Sequence, residues 1–181
     1  LKNTACRDPK VFRYENKWFM VLAGGPLRIY SSEDLVNWKV ESVYGDLHTE
    51  CPDLYPLVVK DENNQETGEV KWVLDRGGRK YKIGDFKQVN GKWSFVPDEQ
   101  YASTNAGGMG NEDNDGIMNF GPDSYAAMTY YRGDFGTKDN FKPQDIIALN
   151  WMNTWDSGFN NAIPTANGNT IFNGTYNLQL R

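Results

Sequence analysis

Short apolar runs separated by polar turns follow one another along most of the chain. The turns are rich in Gly, Asn and Asp, and apolar runs of this length between such turns are typical of β-strands in hairpins. The clearest runs are 11–14, 17–23, 27–31, 38–43, 54–59, 71–74, 81–86, 93–96, 124–131, 146–152 and 175–180. We find no convincing amphipathic helix, so the pattern predicts an all-β fold.

The pattern of the first four runs returns in the next four. Three pairs of markers support this repeat, at offsets of 54, 53 and 55 residues: Lys17-Trp18 with Lys71-Trp72, Gly24-Gly25 with Gly77-Gly78, and Trp38 with Trp93. A unit of four strands and about 40–50 residues is the sequence signature of a β-propeller blade. An ordinary β-sandwich with a chance similarity is the alternative, and the coincidence of three markers favours the propeller.

One domain is expected over residues 1–181, forming a portion of a β-propeller with blade-like units at about 1–47, 48–97 and 118–181. Residues 98–117 are rich in Gly, Asn and Asp and carry almost no aliphatic side chains, so we predict a loop insertion there. An incomplete propeller exposes unpaired strand edges and apolar faces. We therefore expect the remaining propeller blades, or self-association, to complete the fold.

Part of this insertion, Asn111-x-Asp113-x-Asp115-Gly116, resembles the first half of a calcium loop. The twelfth position of the loop is Pro122, where a bidentate Glu is required, so an EF-hand is excluded. A looser calcium site stays open as an alternative to a solvated loop. We predict no metal site and no cofactor.

The composition excludes several classes of function. The net charge is −5 and no stripe of Lys and Arg occurs, which argues against nucleic acid as a partner. The mean hydropathy is −0.69 and no run of about 20 apolar residues occurs, so no membrane span is expected. The single histidine, His48, argues against His-dependent triads and multi-His zinc sites. The two cysteines, Cys6 and Cys51, are expected to be free thiols, with a disulfide as the alternative.

Any acid–base chemistry must therefore come from carboxylates, and two of them share a local setting. Asp8 and Glu50 each stand shortly before a proline and a strand, 42 residues apart. In a propeller the first strand of each blade lines the central channel, so we expect both side chains to face one pocket. A pair of carboxylates that flanks a bond is what glycoside hydrolysis requires, one of them as a general acid with a raised pKa. Turn formation is the alternative role for each acid.

Four segments resemble motifs of the β-fructosidase family, glycoside hydrolase family 32, which includes invertases, inulinases and levanases. In family order they are Arg7-Asp8-Pro9-Lys10-Val11-Phe12, Glu50-Cys51-Pro52-Asp53-Leu54, 120–129 and Trp151-Met152-Asn153-Thr154-Trp155. The third segment and the residue before it depart from the family pattern, since Asn119 replaces an Asp and Met128 replaces a Gln. The resemblance implies about three blades of a five-bladed β-propeller. The residues in and around the motifs are most similar to those of large secreted bacterial fructan hydrolases.

Carried over residue by residue, the resemblance implies that Glu50 is the general acid/base and Asp8 the transition-state stabiliser. Arg7 would orient one of these two carboxylates. The other expected substrate contacts are aromatic side chains of the fructosyl pocket and two residues at its rim, namely Tyr125, Trp151, Trp155, Asp75 and Arg76. Asp53 is expected to be structural.

The resemblance also implies a function for the longer protein. That function is retaining hydrolysis of terminal β-D-fructosyl linkages in levan, inulin or sucrose, outside the cell or on its surface. The chain begins at Leu1 and lacks the family's W-M-N-D-P-N-G motif with its nucleophilic Asp, so we expect an inactive fragment. A non-catalytic carbohydrate-binding propeller is the alternative, and the Arg-Asp-Pro and Glu-Cys pair argues against a relative that acts on pentosides. The linkage preference, exo or endo action, and hydrolysis or transfer stay open.

Overall fold

The computed structural model describes residues 5–101, 109–110, 115–118, 124–151, 163–164, 170–171 and 177–180. Within these ranges every regular element is a β-strand, apart from one 3₁₀ turn at Glu99–Tyr101. The prediction of an all-β fold is therefore confirmed. None of the described segments forms a helix with the length and hydropathy needed to cross a membrane.

The first sheet contains four antiparallel strands in sequence order. They are β1 (Arg7–Tyr14), β2 (Lys17–Ala23), β3 (Pro26–Ser32) and β4 (Lys39–His48). Only Glu15 and Asn16 connect β1 to β2, and both have positive φ angles, of 49° and 58°. Two consecutive residues of this kind make a type I′ turn, whose twist matches that of the flanking strands.

The second sheet repeats this order with β5 (Asp53–Lys60), β6 (Glu66–Arg76), β7 (Lys80–Val89) and β8 (Lys92–Pro97). Asn90 and Gly91 form its tight hairpin, again with positive φ at both residues. A short strand, β9 (Gly116–Ile117), pairs with the start of β7, which β8 leaves uncovered. Part of the segment expected as a loop insertion, 98–117, thus adds to this sheet.

The third sheet contains β10 (Tyr125–Tyr130), β11 (Ile147–Trp151) and, further along the chain, β14 (Asn177–Leu180). All three strands are antiparallel, and β11 lies between the other two. A separate two-stranded ladder pairs β12 (Ile163–Pro164) with β13 (Thr170–Ile171). These sheets do not test the bounds of the blade-like units expected from the sequence, so the bounds stay a prediction.

An aromatic core joins the first two sheets. The rings that form it come from five strands, and neighbouring centroids lie 4.9–5.6 Å apart: Phe12, Phe19, Trp72, Phe86 and Trp93. Edge-to-face and tilted pairs of this kind contribute about 0.5–1.5 kcal/mol each beyond the area that they bury. The core therefore fixes how the two sheets face each other, and with them the ends of β1 and β5.

The outer strands of the two sheets are tied by polar groups. The buried carboxylate of Glu41 on β4 accepts hydrogen bonds from the Ser31 hydroxyl at 2.6 Å and from the Trp93 amide at 3.1 Å. The Tyr44 hydroxyl donates to the Phe95 carbonyl at 3.0 Å and accepts from the Phe95 amide at 2.7 Å. The sheets are thus held at their outer edge as well as through the core.

The first strands of all three sheets meet at the buried carboxylate of Asp53. Its Oδ2 accepts hydrogen bonds from the Thr129 amide at 2.8 Å and from the Thr129 hydroxyl at 2.7 Å, while Oδ1 accepts from the Leu54 amide at 2.8 Å. The Lys10 ammonium lies 3.4 Å from Oδ2 and also donates to the Thr129 carbonyl. One charge therefore joins β1, β5 and β10, as expected for a structural Asp53.

Replacement of Lys10 by Met should destabilise the protein strongly. Asp53 is fully buried and would lose its cation, and removal of one partner of a buried pair typically costs about 3–5 kcal/mol. The matched control is Lys17→Met, because Lys17 pairs with Glu33 at the surface. That variant should lose less than about 1 kcal/mol. Urea unfolding followed by tryptophan fluorescence measures both, and equal losses would contradict the role given to Lys10.

Candidate active site

The starts of three strands, each called an entrance below, meet around Glu50. Arg7 opens β1, Tyr125 opens β10, and Glu50 lies shortly before β5. The Arg7 Nη2 lies 3.1 Å from Glu50 Oε1, and the Tyr125 hydroxyl donates to Oε2 at 2.9 Å. Each carboxylate oxygen is thus held by a side chain from a different sheet. The Glu50 side chain is still 41% exposed, so a substrate can reach it.

Asp8 lies beside this group. Its Oδ2 accepts a hydrogen bond from the Cys51 amide at 3.0 Å and lies 3.8 Å from Arg7 Nε. Arg7 therefore contacts both Asp8 and Glu50, the two carboxylates that the sequence expects in one pocket. The Asp8 side chain is 31% exposed, which leaves it open to solvent on one side.

A shared backbone feature places these side chains. The second residue of each entrance has a positive φ although none is glycine: 53° at Asp8, 42° at Cys51 and 54° at Ala126. In β1 and β10 the strand register shifts at the same place, which marks a bulge. Bulges re-aim the neighbouring side chains, and left-handed residues of this kind occur preferentially at functional sites.

This geometry changes which residues are equivalent. The sequence pairs Asp8 with Glu50, because each acid stands shortly before a proline. In the structure the residue that matches Asp8 in backbone conformation and directly precedes the proline is Cys51. Arg7 and Glu50 therefore hold the same position in successive entrances, and Tyr125 holds it in the third.

The tight turn after β6 is hydrogen-bonded to the backbone of Glu50. The Gly77 amide donates to the Glu50 carbonyl at 2.8 Å, and the Gly77 carbonyl accepts from the Ala126 amide at 2.6 Å. A Cβ at Gly78 would lie 1.6 Å from the Ala127 amide nitrogen, so only glycine fits there. The Gly-Gly pair thus lets the turn lie between the entrances of β5 and β10 and bond to both.

The thiol of Cys51 is not suited to nucleophilic chemistry. Cys51 is half-buried and free, and its Sγ lies 3.7 Å from Asp8 Oδ2. Burial, followed by the negative charge of Asp8, raises the pKa of Cys51 to about 12. Reactive cysteines instead have lowered pKa values in positive surroundings. Cys51 instead contributes its backbone amide, which donates to Asp8 Oδ2.

Burial likewise raises the pKa of Tyr125 well above its usual value, and the hydrogen bond to Glu50 and its charge add to this rise. A tyrosine that stays protonated over the whole physiological range is a permanent donor. The Tyr125 hydroxyl can therefore donate to Glu50 Oε2 at any physiological pH.

Asp75 and Arg76, expected at the rim, lie inside the protein. Asp75 is 1% exposed and Arg76 is 7% exposed. The Arg76 guanidinium lies 2.5 Å from Asp115 through Nε and donates to the Met109 carbonyl at 3.3 Å. The structure thus places both residues behind the exposed group formed by Arg7, Glu50 and Tyr125 rather than within it.

The aromatic residues expected in the pocket are described only in part. Trp151 ends β11, is half-buried, and lies opposite Tyr125 in the strand register. Trp155 lies outside the described residues, as do Asn119 and Asn153.

No group of three or more His, Cys, Asp or Glu side chains suited to a metal ion occurs among the described residues. Of the calcium-like segment, Asn111 and Asp113 lie outside the described residues. The Asp115 carboxylate is buried between Arg76 at 2.5 Å and Lys82 at 2.8 Å. These two cations account for its charge.

The sequence did not predict two residues that hold Asp53. Lys10 and Thr129 hold Asp53, yet neither is predicted to do so. A signal for Lys10 does exist, since Arg7-Asp8-Pro9-Lys10 and Glu50-Cys51-Pro52-Asp53 carry opposite charges at the fourth position of matching segments. Opposite charges at equivalent positions of neighbouring strands are candidates for an ion pair. Thr129 offers no comparable signal.

Comparisons with known proteins agree with the resemblance of the motifs. The profile of the family described as "Glycosyl hydrolases family 32 N-terminal domain" matches residues 2–176. The chain is 56% identical over 180 residues to a fructan β-fructosidase of Streptococcus mutans, across 99% of this chain and 11% of that protein. It is 32% identical over 183 residues to an extracellular exo-inulinase of Meyerozyma guilliermondii, across 90% and 29% respectively. The chain thus spans less than a third of the length of either relative.

A solved structure shares the architecture. The crystal structure of exo-inulinase from Aspergillus awamori matches with a TM-score of 0.62 and 25% sequence identity, over 97% of this chain and 36% of that chain. The prediction of a partial β-propeller is thereby confirmed. With a family profile matched over nearly its whole length, the chain belongs to glycosyl hydrolase family 32, in the N-terminal domain.

Proposed function

We propose that this chain is part of a longer retaining β-fructosidase, which hydrolyses terminal β-D-fructosyl linkages in fructans or sucrose. The observation that carries the proposal is the position of Glu50, which is exposed, held through both oxygens, and next to the second carboxylate, Asp8. The names of the two relatives, a fructan β-fructosidase and an exo-inulinase, point to the same class of substrate.

In this proposal Glu50 is the general acid/base. It protonates the oxygen of the leaving group while a carboxylate nucleophile bonds to the anomeric carbon of the fructosyl unit. It then takes a proton from the water that hydrolyses the covalent intermediate, which restores both carboxyl groups. Glu50 Oε1 lies 3.1 Å from Arg7, and Oε2 lies 2.9 Å from the Tyr125 hydroxyl. These two contacts keep the carboxyl group oriented for proton transfer during both steps.

Asp8 is proposed as the transition-state stabiliser. The Cys51 amide fixes its Oδ2, which leaves Oδ1 to bind the hydroxyls of the fructosyl ring. These bonds would strengthen as the ring gains positive charge, and interactions that tighten only in the transition state are those that raise kcat. Its positive φ of 53° supports a placement required by function.

The remaining site residues fall into two groups. We place Tyr125, Trp151 and Trp155 around the fructosyl ring, with Tyr125 and Trp151 as neighbours on adjacent strands. The burial of Asp75 and Arg76 favours a supporting function over the substrate contact that the sequence suggests.

The nucleophile is proposed to come from the part of the longer protein outside this chain, together with the remaining propeller blades. An extracellular or cell-surface location fits the printed name of the exo-inulinase relative. The absence of the W-M-N-D-P-N-G motif from these residues favours one second candidate, a carbohydrate-binding propeller without catalysis. Full-length protein that binds levan or inulin but releases no fructose from either would support that candidate.

Glu50→Gln in the full-length protein should lower kcat by about 10²–10⁴-fold, the usual contribution of a positioned general acid/base. The amide keeps the size of the side chain but cannot exchange the proton. Release of fructose from levan, inulin and sucrose measures the effect. The control is Glu62→Gln, because Glu62 lies exposed in the turn between β5 and β6. Near-normal turnover of the Glu50 variant would exclude the acid/base role.

Tyr125→Phe should lower kcat/KM by about tenfold or more, since a hydrogen bond to a charged group is worth about 1.5–3 kcal/mol. It removes the donor to Glu50 Oε2 and leaves the ring in place. Tyr130→Phe is the matched control, because Tyr130 lies on the same strand and is 58% exposed. Steady-state kinetics on inulin compares the two, and equal activities would argue against a role for the Tyr125 hydroxyl.

The isolated chain of 181 residues should release no fructose from levan, inulin or sucrose. Without a nucleophile the covalent intermediate cannot form, whatever Glu50 contributes. The full-length protein at equal molar concentration is the positive control. Fructose release by the isolated chain above the background of its Glu50→Gln variant would show that the chain contains its own nucleophile.

A further inference from the structure

Two buried carboxyl groups lie side by side beneath the site. Asp53 on β5 and Asp75 on β6 are direct partners in the strand register, and their exposures are 0% and 1%. Like charges directly opposite each other in a sheet are destabilising, and two adjacent buried carboxyls do not both ionise. The arrangement therefore requires one of them to keep its proton.

The surroundings decide which one keeps it. Asp53 accepts hydrogen bonds from Leu54 and Thr129 and has the Lys10 ammonium at 3.4 Å. Neither oxygen of Asp75 has a hydrogen-bond partner of good geometry within the described part of the chain. Donors and a cation favour the ionised form, whereas burial without them favours the neutral form. These surroundings favour the charge on Asp53 and the proton on Asp75.

The titratable groups around Asp75 agree with this assignment. From β5, Tyr55 and Asp53 lie close to it. From the site, Cys51 lies close to it, and from β7 its register partner is Tyr81. None of these four groups is a cation at neutral pH.

The nearby cations are directed to other carboxylates. Arg76 and Lys82 both pair with Asp115, at 2.5 Å and 2.8 Å, and Lys10 pairs with Asp53. Burial, and then the charge of Asp53, raise the pKa of Asp75 well above its usual value, and the amides of Gly78 and Arg79 oppose the rise only in part.

We propose that Asp75 is held as a neutral carboxylic acid beside the ionised Asp53, and that it positions Glu50 through the turn Arg76–Arg79. The first half stands on the buried pair alone, while the second half rests on the proposed function. Asp75 is thus a positioning residue and contacts no substrate.

The connection from Asp75 to Glu50 is short. Asp75 is followed directly by the turn at 76–79, in which the Arg79 amide donates to the Arg76 carbonyl at 3.4 Å. Within the turn, Gly77 donates to the Glu50 carbonyl and accepts from Ala126, next to Tyr125. A second buried anion at Asp75 would draw water or a cation into this layer. The turn that supports Glu50 would then shift.

The first experiment detects the proton without any substrate. Infrared spectra of the full-length protein at pH 7 are compared with those of Asp75→Asn and of the control Asp85→Asn, whose side chain is partly exposed and paired with Lys87. The carbonyl stretching band of a protonated carboxylic acid should be lost in Asp75→Asn and kept in Asp85→Asn. An unchanged band in Asp75→Asn would overturn the proposal.

The pH dependence of unfolding gives a second readout. Because the folded protein raises the pKa of Asp75 above its value of about 3.9 in an unfolded chain, folding favours the protonated form. The resulting stability is complete below the unfolded value and is lost as the pH rises through the folded value. The melting temperature of the wild type should therefore fall relative to that of Asp75→Asn as the pH rises. A pH-independent difference between the two proteins would overturn the proposal.

Kinetics on inulin test the positioning of Glu50. Asp75→Ala should lower kcat by about tenfold or more with KM changed less than about twofold, because misplaced catalytic groups affect the chemical step. Asp75→Asn, which mimics the neutral acid, should recover most of that loss. Equal losses in both variants, or a raised KM alone, would overturn the positioning role. Wild-type protein without activity on any fructan would reject the proposed function, while the infrared band would still decide the protonation state.

Discussion

One buried charge determines how the three sheets come together. The Asp53 carboxylate is out of contact with water, so its ionised form is tolerated only when Thr129 and Lys10 supply hydrogen bonds and a countercharge. These two residues belong to β10 and β1, whereas Asp53 begins β5. The Asp53 carboxylate is therefore fully paired only when the first strands of all three sheets are in place. This constraint fixes the strand ends from which the exposed site is built.

The site above this charge uses one backbone device three times. Each entrance places its first side chain on the exposed face and follows it with a residue of positive φ. The three first side chains are Arg7, Glu50 and Tyr125, so a cation, an acid and a neutral donor occupy equivalent places. A repeated architecture thus supplies three different chemical groups at one point.

The sequence predicted the features that local patterns encode. Hairpins such as Asn90-Gly91, the order of four strands in each of the first two sheets, and the placement of Asp8 and Glu50 on either side of Arg7 followed from turn residues, spacing and motifs. It did not predict that Asp75 and Arg76 are buried. The apolar run ends at Leu74, whereas β6 continues to Arg76, and alternation within a run does not show how the residues beyond it are covered. Nor does it reveal partners such as Asp115, 39 residues away from Arg76, because such pairs depend on how the sheets pack.

The spacing of the site residues along the chain affects its synthesis. Tyr125 follows Glu50 by 75 residues, and Thr129 follows Asp53 by 76. A ribosome that adds about 5–20 residues per second leaves these carboxylates without their donors for roughly 4–15 seconds. During that interval the first two sheets can form their aromatic core, but the Asp53 carboxylate lacks the Thr129 donors that would let it be buried. The nascent chain therefore passes through a stage in which the Asp53 carboxylate stays hydrated, until Thr129 of the third sheet has been added.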